Sequence, residues 1–346
     1  MTDGDGQLGL FAPGELPPAG DAGRAVGAAP QPPEVAALAA RLPAGLYLGT
    51  STWSFPGWAG LVYARPESTS LLARRGLAAY AQHPLLGAAG IDRTHYEPLG
   101  AEDFAAYAAQ VPRGFRFVVK AHEALTVARW PDHPRYGERR GTVNPLFLDP
   151  AYAAEEVVGP TLAGLGEKAG VLVFQLAPQD LGVVDRFVDE LAAFLAALPT
   201  VSPHGGRPLY AVELRNREVL GPRYAAALAE AGAIHCVNRH PRMPDVAVQA
   251  RRAGALDAPA FLCRWMLHPS QTYASAERRY APYDRLVDED PATRRALAGL
   301  VLAVTARGRP AYVIANNNAE GCSPLTLLRL AEEVASRPAI VLPDTR

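Results

Sequence analysis

The chain of 346 residues carries 34 Lys and Arg against 35 Asp and Glu, with 49% hydrophobic and 20% charged residues. That composition builds a core, and the near-zero net charge excludes a whole-chain field that would draw the protein to nucleic acid or to an anionic membrane, so any such contact has to be local. Three cysteines, Cys236, Cys263 and Cys322, are too few and too far apart for a zinc knuckle or a disulfide framework and read as buried thiols of a reducing compartment.

The length fits two domains of about 150 residues or one α/β barrel of about 250. Residues 1 to about 32 are dominated by Gly, Pro, Ala and Asp without an apolar period, which predicts a disordered tail. No basic stretch followed by an apolar segment opens the chain, and its longest apolar run, 297–306, falls short of the roughly 18 residues of a membrane span. A cytoplasmic protein without membrane attachment is expected.

A short helix is predicted over 34–42, and from residue 46 one pattern repeats: a short β-rich run, a loop, then an amphipathic segment. The predicted strands are 46–52, 91–96, 115–121, 171–177, 209–215, 234–238, 261–266 and 312–317, eight in all. Helical spacing is clearest in Val184, Phe187, Val188, Leu191, Phe194, Leu195 and Leu198, which form one apolar stripe. Asp290 before Pro291 and Ser323 before Pro324 each offer a side-chain acceptor at the N-cap and a residue without an N–H at the first helical position. Eight alternating units predict an α/β fold, a closed (β/α)8 TIM-type barrel spanning 33–346 as one domain behind the disordered N-terminal tail; an open doubly wound sheet is the alternative. No GxGxxG or GxxxxGK[ST] run follows the first strand, so nothing supports a dinucleotide or P-loop site.

Long connections follow the first, third and seventh strands, over 51–69, 122–150 and 267–290, and all belong to the C-terminal face of such a barrel. Polar residues close otherwise apolar strands on the same face: Thr50 and Trp53, then Asp92, His95 and Tyr96, Lys120 with His122 behind it, Gln175, Glu213 with Arg215, Arg264, and Asn316 with Asn317. Lys120 is one of only two lysines in the chain, the other being Lys168. Each of these residues also has a plain structural reading, as a charge pair in the barrel mouth or a capping Asn. The long loops are rich in arginine and aromatics, which suits a short or flipped-out nucleotide or a small anionic ligand as well as ordinary loop packing.

Read in order, LGTSTW followed by Trp58 and Tyr63, FRFVVKAHEALT, VLVFQLAP, YAVELR, the Arg264 strand with Tyr273 downstream, and NNNAEG resemble the signature segments of the YecE-like family, domain of unknown function 72. The resemblance implies a TIM-type barrel with a polar pocket at its C-terminal face and no settled activity. The family's polar positions fall on Thr50, Trp53, Tyr96, Lys120, Gln175, Glu213, Arg215, Arg264, Asn316 and Asn317. There are departures: IDRTHY stands where the second strand of the family reads an acid and an Asn, Val127 replaces a His after Thr126, and Trp265 and Met266 replace a His-Gly pair. His95, His122 and His268 are the histidines available in their stead. Similar barrels among apurinic endonucleases and sugar isomerases hold divalent metals on His and carboxylate ligands, an analogy of fold alone. No cofactor is indicated by a ligand motif, and a divalent metal is left open. In the tail, Gln7, Leu8, Leu10 and Phe11, with Gly9 at the third place, resemble the bacterial sliding-clamp-binding pentapeptide, in which Leu10 and Phe11 would be the anchors.

The expectation is an enzyme acting on a phosphate-bearing ligand, with a link to nucleic-acid processing through the clamp. Glu213 with His95 or His122 would do general acid/base work, Arg215, Arg264 and Lys120 would hold anionic oxygens, Trp53 and Tyr96 would stack on the ligand, and Gln175, Thr50, Tyr273, Asn316 and Asn317 would complete the binding set. A carbohydrate-active isomerase or hydrolase and a non-catalytic small-ligand-binding barrel are the alternatives.

Overall fold

The apolar runs become eight parallel strands that close on themselves: β1 Leu46–Thr50, β2 Ala88–Ile91, β3 Arg116–Lys120, β4 Ala169–Gln175, β5 Tyr210–Glu213, β6 Ile234–Arg239, β7 Phe261–Trp265 and β8 Ala311–Ala315. The computed structural model describes residues 25–338. Closure is made by β8 against β1, from Leu46 opposite Ala311 to Thr50 opposite Ala315. The fold is a (β/α)8 TIM-type barrel.

Because side chains alternate along a strand, every second residue enters the barrel. The lower interior is apolar, filled by Val118, Val171, Val173, Ala211, Ile234, Leu262 and Ile314, with Tyr47 stacked on Tyr312 at 4.9 Å. One step further along, the same alternation brings in Lys120, Gln175, Glu213 and Arg264, so the upper interior layer is polar and buried. The outward residues pack on the helices. In Val184–Ala197 the expected stripe buries Phe187, Val188, Leu191, Phe194 and Leu195 against the β4 and β5 side.

Three local readings are corrected. The second strand runs over Ala88–Ile91, and the expected 91–96 segment leaves it as a 3₁₀ turn at Arg93–His95, held by Thr94 Oγ1 donating to the carbonyls of Ile91 (2.9 Å) and Lys120 (2.6 Å). This strand is built of small residues because β1 approaches closely: a Cβ on Gly49 would lie 2.2 Å from the Ala88 carbonyl oxygen. Small residues carry little β signal in a sequence. Asp290 caps Pro291–Thr305 as expected, accepting from Thr293 N at 3.0 Å. Ser323, by contrast, is already inside Ser323–Ala335; Cys322 holds the N-cap place, and Ser323 Oγ donates to Asn317 Oδ1 at 2.8 Å.

Residues 27–31, expected within the tail, are seated on the loop after β1. Ala28 bridges Tyr63, Ala29 N donates to Val62 O at 2.9 Å, and Gln31 Nε2 donates to Leu61 O at 2.7 Å. Gln7, Leu8, Leu10 and Phe11 lie outside the described residues.

The loops divide the C-terminal face. Those after β1, β7 and β8 lock together: Phe55 meets Tyr283 edge to face at 5.1 Å, a Cβ on Gly57 would lie 2.1 Å from the Pro282 carbonyl oxygen, and Trp58 Nε1 donates to Asn317 Oδ1 at 3.3 Å. The loops after β3 to β6 enclose a cleft. No helix among the described residues is long and apolar enough to cross a membrane.

Candidate functional site

The upper layer of the barrel centres on Arg264, which is 1% exposed. Its Nη1 donates to Gln175 Oε1 at 2.8 Å and to Glu213 Oε2 at 2.6 Å, and its Nη2 donates to Asp92 Oδ2 at 2.6 Å. Arg215 Nη1 donates to the other oxygen of Glu213. Burial alone would raise the Glu213 carboxyl, but the Arg215 and Arg264 guanidiniums outweigh it and hold the group at about 2. Glu213 is therefore ionised across the neutral range and fully buried, the anchor of a charge network. Glu213, expected to do general acid/base work, thus lies in an ion-pair network beneath the cleft and is not among the residues that line it. Lys120, buried beside these groups, adds to the positive field at Glu213 and at His95.

Above this layer lies a cleft of about 1020 Å³, open between the loops after β3, β4, β5 and β6. Of the expected residues, His95, Tyr96 and Arg215 line it. His95 is held by its place in the turn after β2. Burial and the nearby Lys120 push its imidazole well below the usual histidine range, so it is neutral. Its Nδ1 lies 3.4 Å from the Ala121 carbonyl, which can only accept. That contact puts the proton on Nδ1 and the lone pair on Nε2, 3.8 Å from Glu123 Oε2.

Glu123, absent from the residues expected from the sequence, is an acid that lines the cleft beside His95. It opens the short 3₁₀ turn Glu123–Leu125 after β3 and is buried at 8% exposure. Its Oε2 accepts from Arg135 Nη2 at 2.8 Å and from Tyr136 OH at 3.0 Å. Burial raises this carboxyl, Arg135 and Tyr136 pull it back, and the balance lies above the ordinary value. A raised acid and a depressed imidazole thus lie side by side in the cleft. Arg129 and Arg135 from the loop after β3, Arg217 from the loop after β5 and Arg242 from the loop after β6 also line the cleft. Glu123 stands one residue past His122 in the KAHE run, at the C-terminal face; Arg135, Arg217 and Arg242 carry no signal beyond loop composition.

The other expected residues are placed elsewhere. His122 does not line the cleft; its Nδ1 lies 2.7 Å from Tyr152 OH, and burial with Arg139 nearby lowers its imidazole. Thr50 Oγ1 donates to Thr52 O at 2.6 Å, and Trp53 is packed edge to face on Tyr107 at 5.1 Å with its Nε1 donating to Ala73 O. Asn316 Nδ2 donates to Ser51 Oγ at 2.9 Å, and Asn317 accepts from Trp58 and Ser323. These four belong to the locked half of the mouth. Tyr273 opens the helix Tyr273–Tyr280, its ring 6.2 Å from His240, and His268 Nδ1 lies 2.7 Å from Ser270 Oγ. Among the described residues, no group of three His, Cys, Asp or Glu side chains is placed to hold a metal ion.

A family model described as a protein of unknown function, DUF72, matches residues 47–346. The chain belongs to the DUF72 family. The resemblance drawn from the ordered segments holds. Two solved DUF72 family proteins are similar to it: one from Enterococcus faecalis V583, with TM-score 0.55, 18% identity, and 87% of this chain and 99% of that chain covered, and one from Thermotoga maritima MSB8, with TM-score 0.56, 18% identity, and 83% and 98% covered. At that identity the likeness carries the fold alone. No protein of curated function matches the chain.

Proposed function

We propose that this DUF72 barrel performs general acid/base chemistry on a small phosphate-bearing ligand held in the cleft above β2 to β6. One juxtaposition carries the reading: the buried pair His95 and Glu123 lies in the same cleft as exposed arginines from three separate loops, Arg129, Arg217 and Arg242. Among the described residues the side chains of Arg217 and Arg242 make no hydrogen bond or ion pair, and both residues are exposed, in a chain whose net charge is −1. Guanidiniums in that state suit phosphate oxygens. His95 Nε2 would accept the proton and Glu123 would donate one, with Arg215 fixed below them by Glu213. The stacking tryptophan that a sugar site favours is absent from the cleft lining, and Tyr96 and Tyr136 offer the aromatic surface.

The test is calorimetric titration with inorganic phosphate, pyrophosphate, sugar phosphates and nucleoside monophosphates, each beside its dephosphorylated counterpart. Phosphorylated compounds are expected to bind, and Arg217→Ala with Arg242→Ala to weaken them about ten-fold together. His95→Gln is expected to keep binding and to abolish turnover of any compound that turns over. Equal affinity for both members of every pair would overturn the reading; binding without turnover would make this the ligand-binding barrel. A link to nucleic-acid processing through a sliding clamp is a separate proposal, resting on Gln7, Leu8, Leu10 and Phe11. Leu10→Ala with Phe11→Ala is expected to abolish capture of the full chain by a clamp, and equal retention would end it.

A further inference from the structure

Residues 130–142 form a flap beside the cleft. Its neck is an antiparallel bridge between Arg129 and Val143, continued by Trp130 N donating to Thr142 O and Gly141 N to Trp130 O, both at 3.0 Å. Gly137 and Gly141 turn the chain with φ of 54° and 70°, conformations that cost little only for glycine. Within the flap Arg139 lies 4.6 Å over the Trp130 ring, Trp130 meets Tyr136 at 5.4 Å, and Arg140 pairs with Asp132. Apart from this neck, and among the described residues, the hydrogen bonds joining residues 131–140 to the barrel all end on one group, the Glu123 carboxylate, through Arg135 and Tyr136.

Arg135 reaches there from the exposed side. Its side chain is 31% exposed, with the guanidinium 5.6 Å from the Tyr96 ring and 4.5 Å from the Tyr136 ring. Only Nη2 is engaged, by Glu123 and by the Tyr136 hydroxyl, so the N–H donors on Nε and Nη1 make no hydrogen bond among the described residues. A guanidinium with five donors grips a tetrahedral anion through two of them at once. An anion entering the cleft thus finds a cation already oriented, whose present partner is the acid that the chemistry needs.

We propose that Arg135 is handed over on ligand binding: without ligand it latches the flap onto Glu123, and an anionic group in the cleft takes it, freeing the carboxyl next to His95. This deepens the proposed function and rests on it. The groups facing Glu123 are Arg135, Tyr136, His95, Lys120 and Arg139. Withdrawing Arg135 removes the largest opposition to burial, so the freed carboxyl moves further toward its protonated, proton-donating form. The acid is armed only when ligand is present.

The handover makes a prediction that simple anion binding does not. In the handover pyrophosphate takes Arg135 from Glu123 as it binds, so Glu123→Gln is expected to bind pyrophosphate about two- to five-fold more tightly than the unmodified chain, the strength of a partly exposed ion pair. Removing a negative charge from any cleft also favours anions, and the Arg135→Gln background separates the two causes. There Glu123→Gln is expected to bring no gain, because no pair is left to break. Hydrogen exchange of the amides in 131–140 is expected to quicken in ligand-free Glu123→Gln. If that variant fails to fold, Glu123→Asp, which draws the carboxylate back from Arg135, is expected to tighten binding in the same direction. Unchanged or weaker binding in the folded variant, or a gain that persists without Arg135, overturns the handover while leaving the anion site standing. Failure of the unmodified chain to bind any phosphate removes the proposed function and this inference with it.

Discussion

Arg264 carries three hydrogen bonds to Gln175, Glu213 and Asp92 in a position where no water reaches it. Two carboxylates and two guanidiniums in such a space hold only as a set, since removing one partner strands the others. Arg264→Met fills a similar volume but removes the guanidinium that pairs with both Asp92 and Glu213. It is expected to destabilise the barrel by about 3–5 kcal/mol, read as a lower denaturant midpoint at an unchanged m-value. A loss below about 1 kcal/mol would sink this account of the layer. Lys168 serves a helix end instead. Its Nζ donates to the carbonyls of Ala108 and Val111 where the helix Ala101–Ala109 stops, satisfying acceptors that a helix terminus leaves open. The two lysines of this arginine-rich chain are thus divided between the polar layer and a helix terminus.

Elements decide what the residues can reach. Gln179, in the loop after β4, accepts from Ala128 N at 2.7 Å, donates to Thr126 O at 2.7 Å and shares two hydrogen bonds with Asn216. It ties the loops after β3, β4 and β5 into one wall, and that wall carries both Arg129 and Arg215. The polar layer was legible before the structure because period two places Lys120, Gln175, Glu213 and Arg264 at equivalent steps of their strands. The strand Ala88–Ile91 was not, since a close approach that admits only small residues erases the usual β signature. Thr50, Trp53, Asn316 and Asn317 were read as lining a pocket because they end strands on the correct face; loops from β1, β7 and β8 interlock over them and absorb their donors and acceptors. The pairing of Glu123 with Arg135, across a turn and a flap, follows no local period that a sequence displays.

At the scale of the whole molecule, burial couples stability to protons. His95 and His235 are enclosed; His235 lies 3.0 Å from Tyr224 OH and 3.3 Å from Gln249 Oε1, with burial lowering it to about 4, and His95 is lowered by burial and Lys120. Both are neutral when folded and free to protonate when unfolded, at about 6.5. Between about pH 4 and 6.5 the unfolded chain therefore binds more protons, so stability is full above this window and falls as pH drops through it. Each such histidine costs on the order of 1.4 kcal/mol per pH unit. Glu213, held at about 2, contributes stability above the ordinary carboxylate range that is lost as pH falls further toward 2. Urea midpoints at pH 7.5, 6 and 5 are expected to decline in that order, and less steeply in His235→Gln. A midpoint that is flat or rises toward pH 5 would contradict the burial of neutral imidazoles.

By itself the sequence determined the barrel and the strand-end polar layer, which follow from periodicities of two and of 3.6 residues, properties of neighbours along the chain. Its family followed from the resemblance of segments taken in order. Only the tertiary structure decided which half of that face stays open, that Glu123 and not Glu213 faces His95 across the cleft, and that Arg135 closes over them. Those outcomes depend on loops from separate units meeting in space, where contact is set by packing and charge rather than by spacing in the chain.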